Sequence, residues 1–248
     1  MGSAEEDDMN FSRGSVGIGQ MALTAGFVNL SAVLTALLWL LAAPAHGADT
    51  KAAPVRIVAF GDSITAGYGL QPEDALPAKL ETALKAKGYA VAMTNAGVSG
   101  DTTAGGLARL DWTLSEKPDL LILALGGNDG LRGLDPAKTR DNVDAMLAKL
   151  KAQNVPTILV GMLAPRNLGP DYARVFDPLY AELAQKYGVP LYPFLLEGVA
   201  VDRALNQPDG IHPNPKGVDV IVARMLPLVT ASLDKIGAKT NDAKKNGG

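Results

Sequence analysis

Apolar residues fall along this chain in two alternating rhythms: short solid runs, and longer stripes at helical spacing. Val55–Phe60 (VRIVAF) is a compact run closed by Gly61, the form of a strand buried on both faces. Leu76, Leu80 and Leu84 share one face of a helix that Gly88 ends. Val91–Thr94 predicts a second strand and Thr103–Leu114 a second helix. Leu120–Leu125 (LLILAL) is the strongest strand signal, opened by Pro118-Asp119 and closed by Gly126-Gly127. Asp135 then stands at an N-cap with Pro136 at the first helical position, and Val143, Met146, Leu147 and Leu150 form the stripe behind them. Thr157–Val160 predicts a fourth strand. A helix follows around Tyr172–Tyr187, kinked or restarted at Asp177-Pro178 and stopped by Gly188. Val189–Tyr192 predicts a fifth strand. Asn214 caps a last helix that begins with Pro215 and turns Val218, Ile221, Val222, Met225 and Val229 toward the core.

Strand and helix thus alternate through the chain with no internal repeat. That order predicts an α/β fold with a parallel sheet and helices on both faces. Such sheets bind ligands beyond the carboxyl ends of their strands, so the residues after each strand are the ones to inspect.

Composition narrows the class. Hydrophobic residues make up 47% and charged residues 20%, ordinary for a globular domain. The net charge of −3 carries no nucleic-acid footprint, and Lys235, Lys239, Lys244 and Lys245 read as a solvated basic tail. With no cysteine there is no disulfide, no thiolate zinc site and no cysteine nucleophile. The compartment is left open by that count, but the N-terminus addresses it. Leu30–Ala43 (LSAVLTALLWLLAA) is apolar and followed by small residues Ala45 and Gly47, as in a secretory signal peptide cut near Gly47/Ala48. The run is shorter than the roughly 20 residues of a membrane span, although an uncleaved anchor is the alternative. Glu5, Glu6, Asp7 and Asp8 put acid where a signal wants base, which a start at Met9 with Arg13 as the positive residue would repair. The organisation expected is a signal peptide over 1–47, a linker over 48–54, one domain over 55–233 and a disordered polar tail over 234–248. The location expected is periplasmic or secreted.

Four polar, glycine-rich blocks follow the predicted strands: Gly61-Asp62-Ser63-Ile64-Thr65, Asn95 through Thr102, Gly126-Gly127-Asn128-Asp129, and Asp209-Gly210-Ile211-His212-Pro213-Asn214. The chain has only two histidines, His46 and His212, and His46 would leave with the signal. A histidine is the usual general base near neutral pH, so His212 is the sole candidate for that role in the domain. Asp209 lies three residues earlier in a Gly- and Pro-bounded turn, where its carboxylate can reach Nδ1 and leave Nε2 facing a nucleophile. Ser63 is the candidate nucleophile, at a strand-to-helix turn that leaves backbone N–H groups free. The Ser63 N–H, Gly100 and the Asn128 amide are candidate oxyanion donors. Singly, each has a plainer reading: Asp62, Ser63 and Thr65 as capping residues, and Gly100 and Asn128 as turn residues. Together they place serine, glycine, asparagine and an Asp/His pair at one edge of one sheet.

The strings GDSIT, SGDT, GGND and DGIHP resemble the four blocks of the SGNH (GDSL-like) hydrolases. NAGVSGDTTAGGLARL, LALGGNDGLRGL and DGIHPNPKG are similar to the bacterial acyl-CoA thioesterase I, lysophospholipase and arylesterase group. The resemblance runs from about Arg56 to Leu233; GDSI in place of GDSL is its one departure, and the α/β-hydrolase elbow G-x-S-x-G is absent. It implies a three-layer α/β/α sandwich, flavodoxin-like, with strand order 2-1-3-4-5. It also implies Ser63 as nucleophile, Gly100 and Asn128 as oxyanion donors, Asp209 and His212 as acid and base, and no metal or organic cofactor.

The substrates so implied are acyl esters, thioesters and lysophospholipids, with transient contact to membrane lipid and no stable protein partner. Leu131, Leu134, Leu163, Leu168 and Tyr172 flank the expected site and could line an apolar trough, or be core and scattered surface residues. A carbohydrate O-acetyl esterase on the same fold is the alternative. A flavodoxin-like binding module with a phosphate turn over Gly61 to Gly69 is remoter, since neither G-K-[S/T] nor G-x-G-x-x-G spacing is present.

Overall fold

The protein is described by a computed structural model over residues 53–238. The expected signal peptide, most of the linker and the end of the tail lie outside the described residues. Among the described residues no helix is long and apolar enough to cross a membrane.

Five strands form one sheet in the order β2-β1-β3-β4-β5: β1 Val55–Gly61, β2 Val91–Gly97, β3 Leu120–Ala124, β4 Thr157–Val160 and β5 Leu191–Tyr192. Every pairing is parallel. Helices α1 Ser63–Ala66, α2 Leu76–Ala86, α3 Thr103–Leu114, α4 Gly127–Leu131, α5 Pro136–Ala152, α6 Pro170–Phe176, α7 Leu179–Tyr187 and α8 Pro215–Lys235 connect or follow them. α2 packs against α8, while α3, α5 and α7 pack in a row. The result is the three-layer α/β/α sandwich with the expected strand order. β3, the solid apolar run, is buried along its whole length at the centre. Register aligns the carboxyl ends of the strands. Gly61 pairs with Gly97 on one side and with Ala124 on the other, so the first three strands end at one level.

Three boundaries differ from the pattern-based expectation, each for a physical reason. β2 runs on to Gly97 because its mixed, half-exposed residues suit a strand at the sheet edge. β5 loses Val189 and Pro190: Gly188 ends α7 in the left-handed conformation and the Val189 N–H closes that turn on Ala184 O at 3.1 Å. The helix around Tyr172–Tyr187 restarts at Asp177-Pro178 as expected, giving α6 and α7. There the Asp177 carboxylate accepts from the Ala164 N–H and pairs with Arg166. The last helix passes the expected domain end at Leu233 and reaches Lys235, despite Pro227 inside it. Tyr89 Oη donates to Asp234 at 2.7 Å and Ile236 packs on the core, so the polar tail begins later than its composition suggests.

Candidate active site

The turn that carries Ser63 is dictated by crowding at the end of β1. A Cβ on Gly61 would sit 2.1 Å from Thr65 Oγ1 and 2.8 Å from the Ala124 carbonyl, so only glycine lets the chain turn here. Asp62 caps α1, its Oδ1 accepting from the Ile64 N–H at 3.1 Å. Ser63 is then the first helical residue. Its carbonyl accepts from the Gly67 and Tyr68 amides, and its own N–H has no intrahelical partner. Thr65 and Ser63 are buried, Ser63 at 9% exposure.

The β2 loop comes close to the same point. A Cβ on Gly97 would meet the Ala66 nitrogen at 2.2 Å, so α1 rests on the end of β2. A turn closed by the Asp101 N–H on Val98 O carries Gly100 at φ 79°, a left-handed position that favours glycine. Arg132 Nη2 holds the Gly100 carbonyl at 2.7 Å. Neither the Ser63 nor the Gly100 N–H serves another group among the described residues.

The β3 loop places two neighbours in opposite directions. Asp129 is buried and accepts from the Thr103 N–H at 2.9 Å and Thr139 Oγ1 at 3.2 Å, fixing the start of α3. Asn128 faces the site: its Nδ2 donates to Asp101 O at 2.9 Å and more weakly to Asp62 Oδ2 at 3.4 Å.

The fourth loop brings the imidazole of His212. Asn214 caps α8 with bonds from Lys216 and Gly217, and Lys79 of α2 binds Pro215 O and Asp219, which anchors this helix end. Just before it, His212 Nδ1 lies 2.7 Å from Asp209 Oδ2 and Nε2 lies 2.9 Å from Ser63 Oγ. The carboxylate requires the proton on Nδ1, leaving Nε2 free to accept from the serine hydroxyl. Asp209 Oδ1 accepts from the His212 and Ile211 amides. Those two bonds, with the imidazole contact, bring its carboxyl down to about 2, so it stays ionised through mild acid. Burial does the reverse to Asp62, pushing it up to about 6 against the opposing pull of the Ile64 N–H and His212.

All five candidate residues therefore meet at one edge: Ser63, Asp209 and His212 in a chain of hydrogen bonds, with Gly100 and Asn128 on the loops beside it. Three supporting side chains are invisible in the sequence pattern. Gln207 donates through Nε2 to Tyr68 O and Pro213 O, while its N–H binds His212 O, so it ties the histidine loop to the segment after α1. Tyr68 lays its ring 4.7 Å from the imidazole. Arg109 binds the ends of β1 and β2. None of these has a local sequence signal, because each also binds or packs on a partner far along the chain.

The site is an open edge with little enclosed volume. A larger depression of about 730 Å³, lined by residues such as Arg166, Arg174 and Asp177, contains none of these residues. Leu131, Leu134 and Leu163 are exposed, as are Tyr68, Val98 and Ile211 nearer the serine and histidine. Tyr172 Oη donates to Leu134 O, and Leu168 lies against Gly133. Four of the five expected trough residues thus gather along the segment that follows Asn128.

Residues 59–220 match the model of the GDSL-like lipase/acylhydrolase family. The chain is 43% identical over 164 residues to esterase TesA of Pseudomonas aeruginosa, covering 66% of this chain and 82% of that protein. It is 38% identical over 183 residues to thioesterase 1/protease 1/lysophospholipase L1 of Escherichia coli, covering 72% and 86%. Among solved structures, AlinE4, an SGNH-hydrolase family esterase, superposes with a TM-score of 0.62 at 48% identity, covering 73% of this chain and 97% of that one. With its four strand-end loops and most of its sheet inside the matched residues, the chain belongs to the GDSL-like lipase/acylhydrolase family of hydrolases.

Proposed function

We propose that the protein hydrolyses carboxylic ester and thioester bonds of acyl substrates through an acyl-serine at Ser63. The observation that carries the reading is the unbroken relay from Ser63 Oγ to His212 Nε2 at 2.9 Å and from Nδ1 to Asp209 at 2.7 Å. Ser63 Oγ adds to the substrate carbonyl while its proton passes to Nε2. Asp209 stabilises the imidazolium that results. The carbonyl oxygen, now negative, takes the free N–H groups of Ser63 and Gly100. Asn128 gives up its long contact to Asp62 to supply the third donor. The bond to the alcohol or thiol then breaks, and His212 hands the departing group its proton. Water repeats the sequence at the acyl-serine, releasing the acid and restoring the serine hydroxyl.

The substrate class is supported by the surroundings and by the relatives. An apolar surface past Asn128, with Leu131, Leu134, Leu168 and Tyr172, suits an acyl chain beyond acetyl length. The names of the two curated relatives, an esterase and a thioesterase/lysophospholipase, support the same class. Export to the periplasm or beyond is part of this proposal, supported by the apolar Leu30–Ala43 run and the small residues after it. That location favours aryl and alkyl esters or lysophospholipids over acyl-CoA as the working substrates. The test is turnover of p-nitrophenyl esters from acetyl to palmitoyl. Activity that peaks beyond acetyl and disappears in Ser63→Ala is the expected result; acetyl-only activity would instead select a carbohydrate O-acetyl esterase.

A further inference from the structure

One side chain outside the relay touches two of the four blocks that build the site, at three points. Arg109 lies on α3, with its guanidinium 3.9 Å from the centre of the Phe60 ring. Its Nη2 donates to the carbonyl of Gly61, two residues before Ser63, at 2.9 Å. Nη1 donates to the carbonyl of Ala96, near the end of β2, at 2.9 Å. Nε donates to Asp101 Oδ2, in the residue after Gly100, at 2.7 Å. All three nitrogens are engaged, each by a different residue.

We propose that Arg109 is a positioning residue that sets the distance between the two backbone oxyanion donors, the N–H groups of Ser63 and Gly100. The inference rests on the role given to those donors under Proposed function. Both donors sit on turns immediately past the ends of parallel strands, where the sheet ladder no longer holds the chain. The bonds from Arg109 span that gap: one rigid plane fixes the carbonyl leading into the serine turn and the carboxylate following the Gly100 turn. Only a guanidinium presents donors in such a fork, and a lysine ammonium would hold one or two of the three partners. The aromatic ring beneath keeps the fork in plane. Asp101 faces away from solvent at 10% side-chain exposure, and Arg109 at 21%, so neither bond is easily replaced by water.

A purely structural role for Arg109 makes a different prediction, because α3 is held without it. Thr102 caps the helix, Asp129 binds the Thr103 N–H, and Leu110 and Leu114 are buried in the core. Loss of the guanidinium should therefore loosen the two loops more than the helix. Displacing a reacting geometry by about 1 Å lowers rate on the order of a hundredfold.

The experiment uses the full chain and p-nitrophenyl butyrate, with Arg109→Lys, Arg109→Ala, Asp101→Asn and Ser63→Ala, at a temperature where melting curves show each variant folded. The expected result is a kcat lower on the order of a hundredfold in both Arg109 variants, with KM changed far less. Asp101→Asn should show a smaller loss in the same direction. The pH profile of kcat/KM should keep its wild-type shape, since the relay is untouched. Added guanidinium ion, below denaturing concentration, should restore part of the rate in Arg109→Ala. Should Arg109→Ala fail to fold, Arg109→Lys and Asp101→Asn decide the matter. Folded variants with kcat within about twofold of wild type would overturn the proposal, as would a loss that merely tracks the fraction of folded protein. Activity surviving in Ser63→Ala is a separate outcome, overturning the hydrolase reading itself.

Discussion

The nucleophile turn and the histidine loop meet through one hydrogen bond, yet they are built on opposite plans. Gly61, Asp62 and Ser63 are buried, crowded by Thr65, Ala124 and Gly127, and continuous with the central sheet. Asp209, Gly210 and Ile211 are exposed. Their loop is held by local bonds: Asp209 to the Ile211 and His212 amides, a bridge from Asn206 to Pro213, and the link through Gln207. The contrast extends to charge. Each segment carries an aspartate near the reacting pair; burial drives Asp62 up to about 6, and hydrogen bonding holds Asp209 down at about 2. Ser63 is thus placed by the fold, whereas His212 is placed by its own loop. Changes on the first side should reach stability strongly; changes on the second should reach activity more than stability.

The largest effect expected is from His212→Ala. Removing the proposed base should lower kcat by up to about a millionfold, as a triad acts as a unit. The melting temperature should move by no more than about 2 °C, because the imidazole supports little beyond its own loop. A large fall in melting temperature would break the contrast. Asn128→Ala is the next. Loss of one oxyanion donor should raise the barrier by about 3 kcal/mol, roughly a hundredfold in kcat, with near-normal folding. A change below about twofold would remove Asn128 from the mechanism.

A pair of glycine substitutions sharpens the comparison through stability. Alanine at Gly61 forces a Cβ against Thr65 and the Ala124 carbonyl, and should destabilise the fold by about 1–3 kcal/mol. Alanine at Gly210 meets nothing within 4 Å and carries only the strain of φ 71°, about 1 kcal/mol. Denaturant midpoints compare the two; equal losses would contradict the division. The last test is the pH dependence of Asp62. Its folded pKa of about 6 lies above the ordinary 3.8, so between these values the native state holds a proton that the unfolded chain has released. This group's contribution to stability is therefore full below about pH 4 and is lost as pH rises through about 6. Asp62→Asn keeps an Oδ1 acceptor for the Ile64 N–H but does not titrate. The melting temperature of the variant relative to wild type should climb from pH 4 to 6 and then level off. A difference constant with pH would show that Asp62 is not perturbed.

What the sequence disclosed follows the same division between near and far. LLILAL announced β3, Asp135-Pro136 and Asn214-Pro215 announced their helices, and four loop strings disclosed the site residues. Each of these signals is local. α1 and α4 span four and five residues, too few for any helical period to appear. Asp62 reads as a cap, and its burial depends on β3 and α4 arriving beside it. Arg109 looks like one more charged residue on a helix, and its three partners lie 8, 13 and 48 positions away. Gln207 and Tyr68 are 139 residues apart. Such links are created by the order of strands in the sheet, which a local pattern does not encode.

The central claim is that Ser63 is the residue acylated during turnover, and covalent trapping tests it most directly. A p-nitrophenyl alkylphosphonate should add once per chain, release one equivalent of nitrophenol and place its mass on the peptide containing Ser63. Labelling should be absent in Ser63→Ala and greatly slowed in His212→Ala. A catalytically active protein that takes no label, or takes it at another residue, would contradict the account.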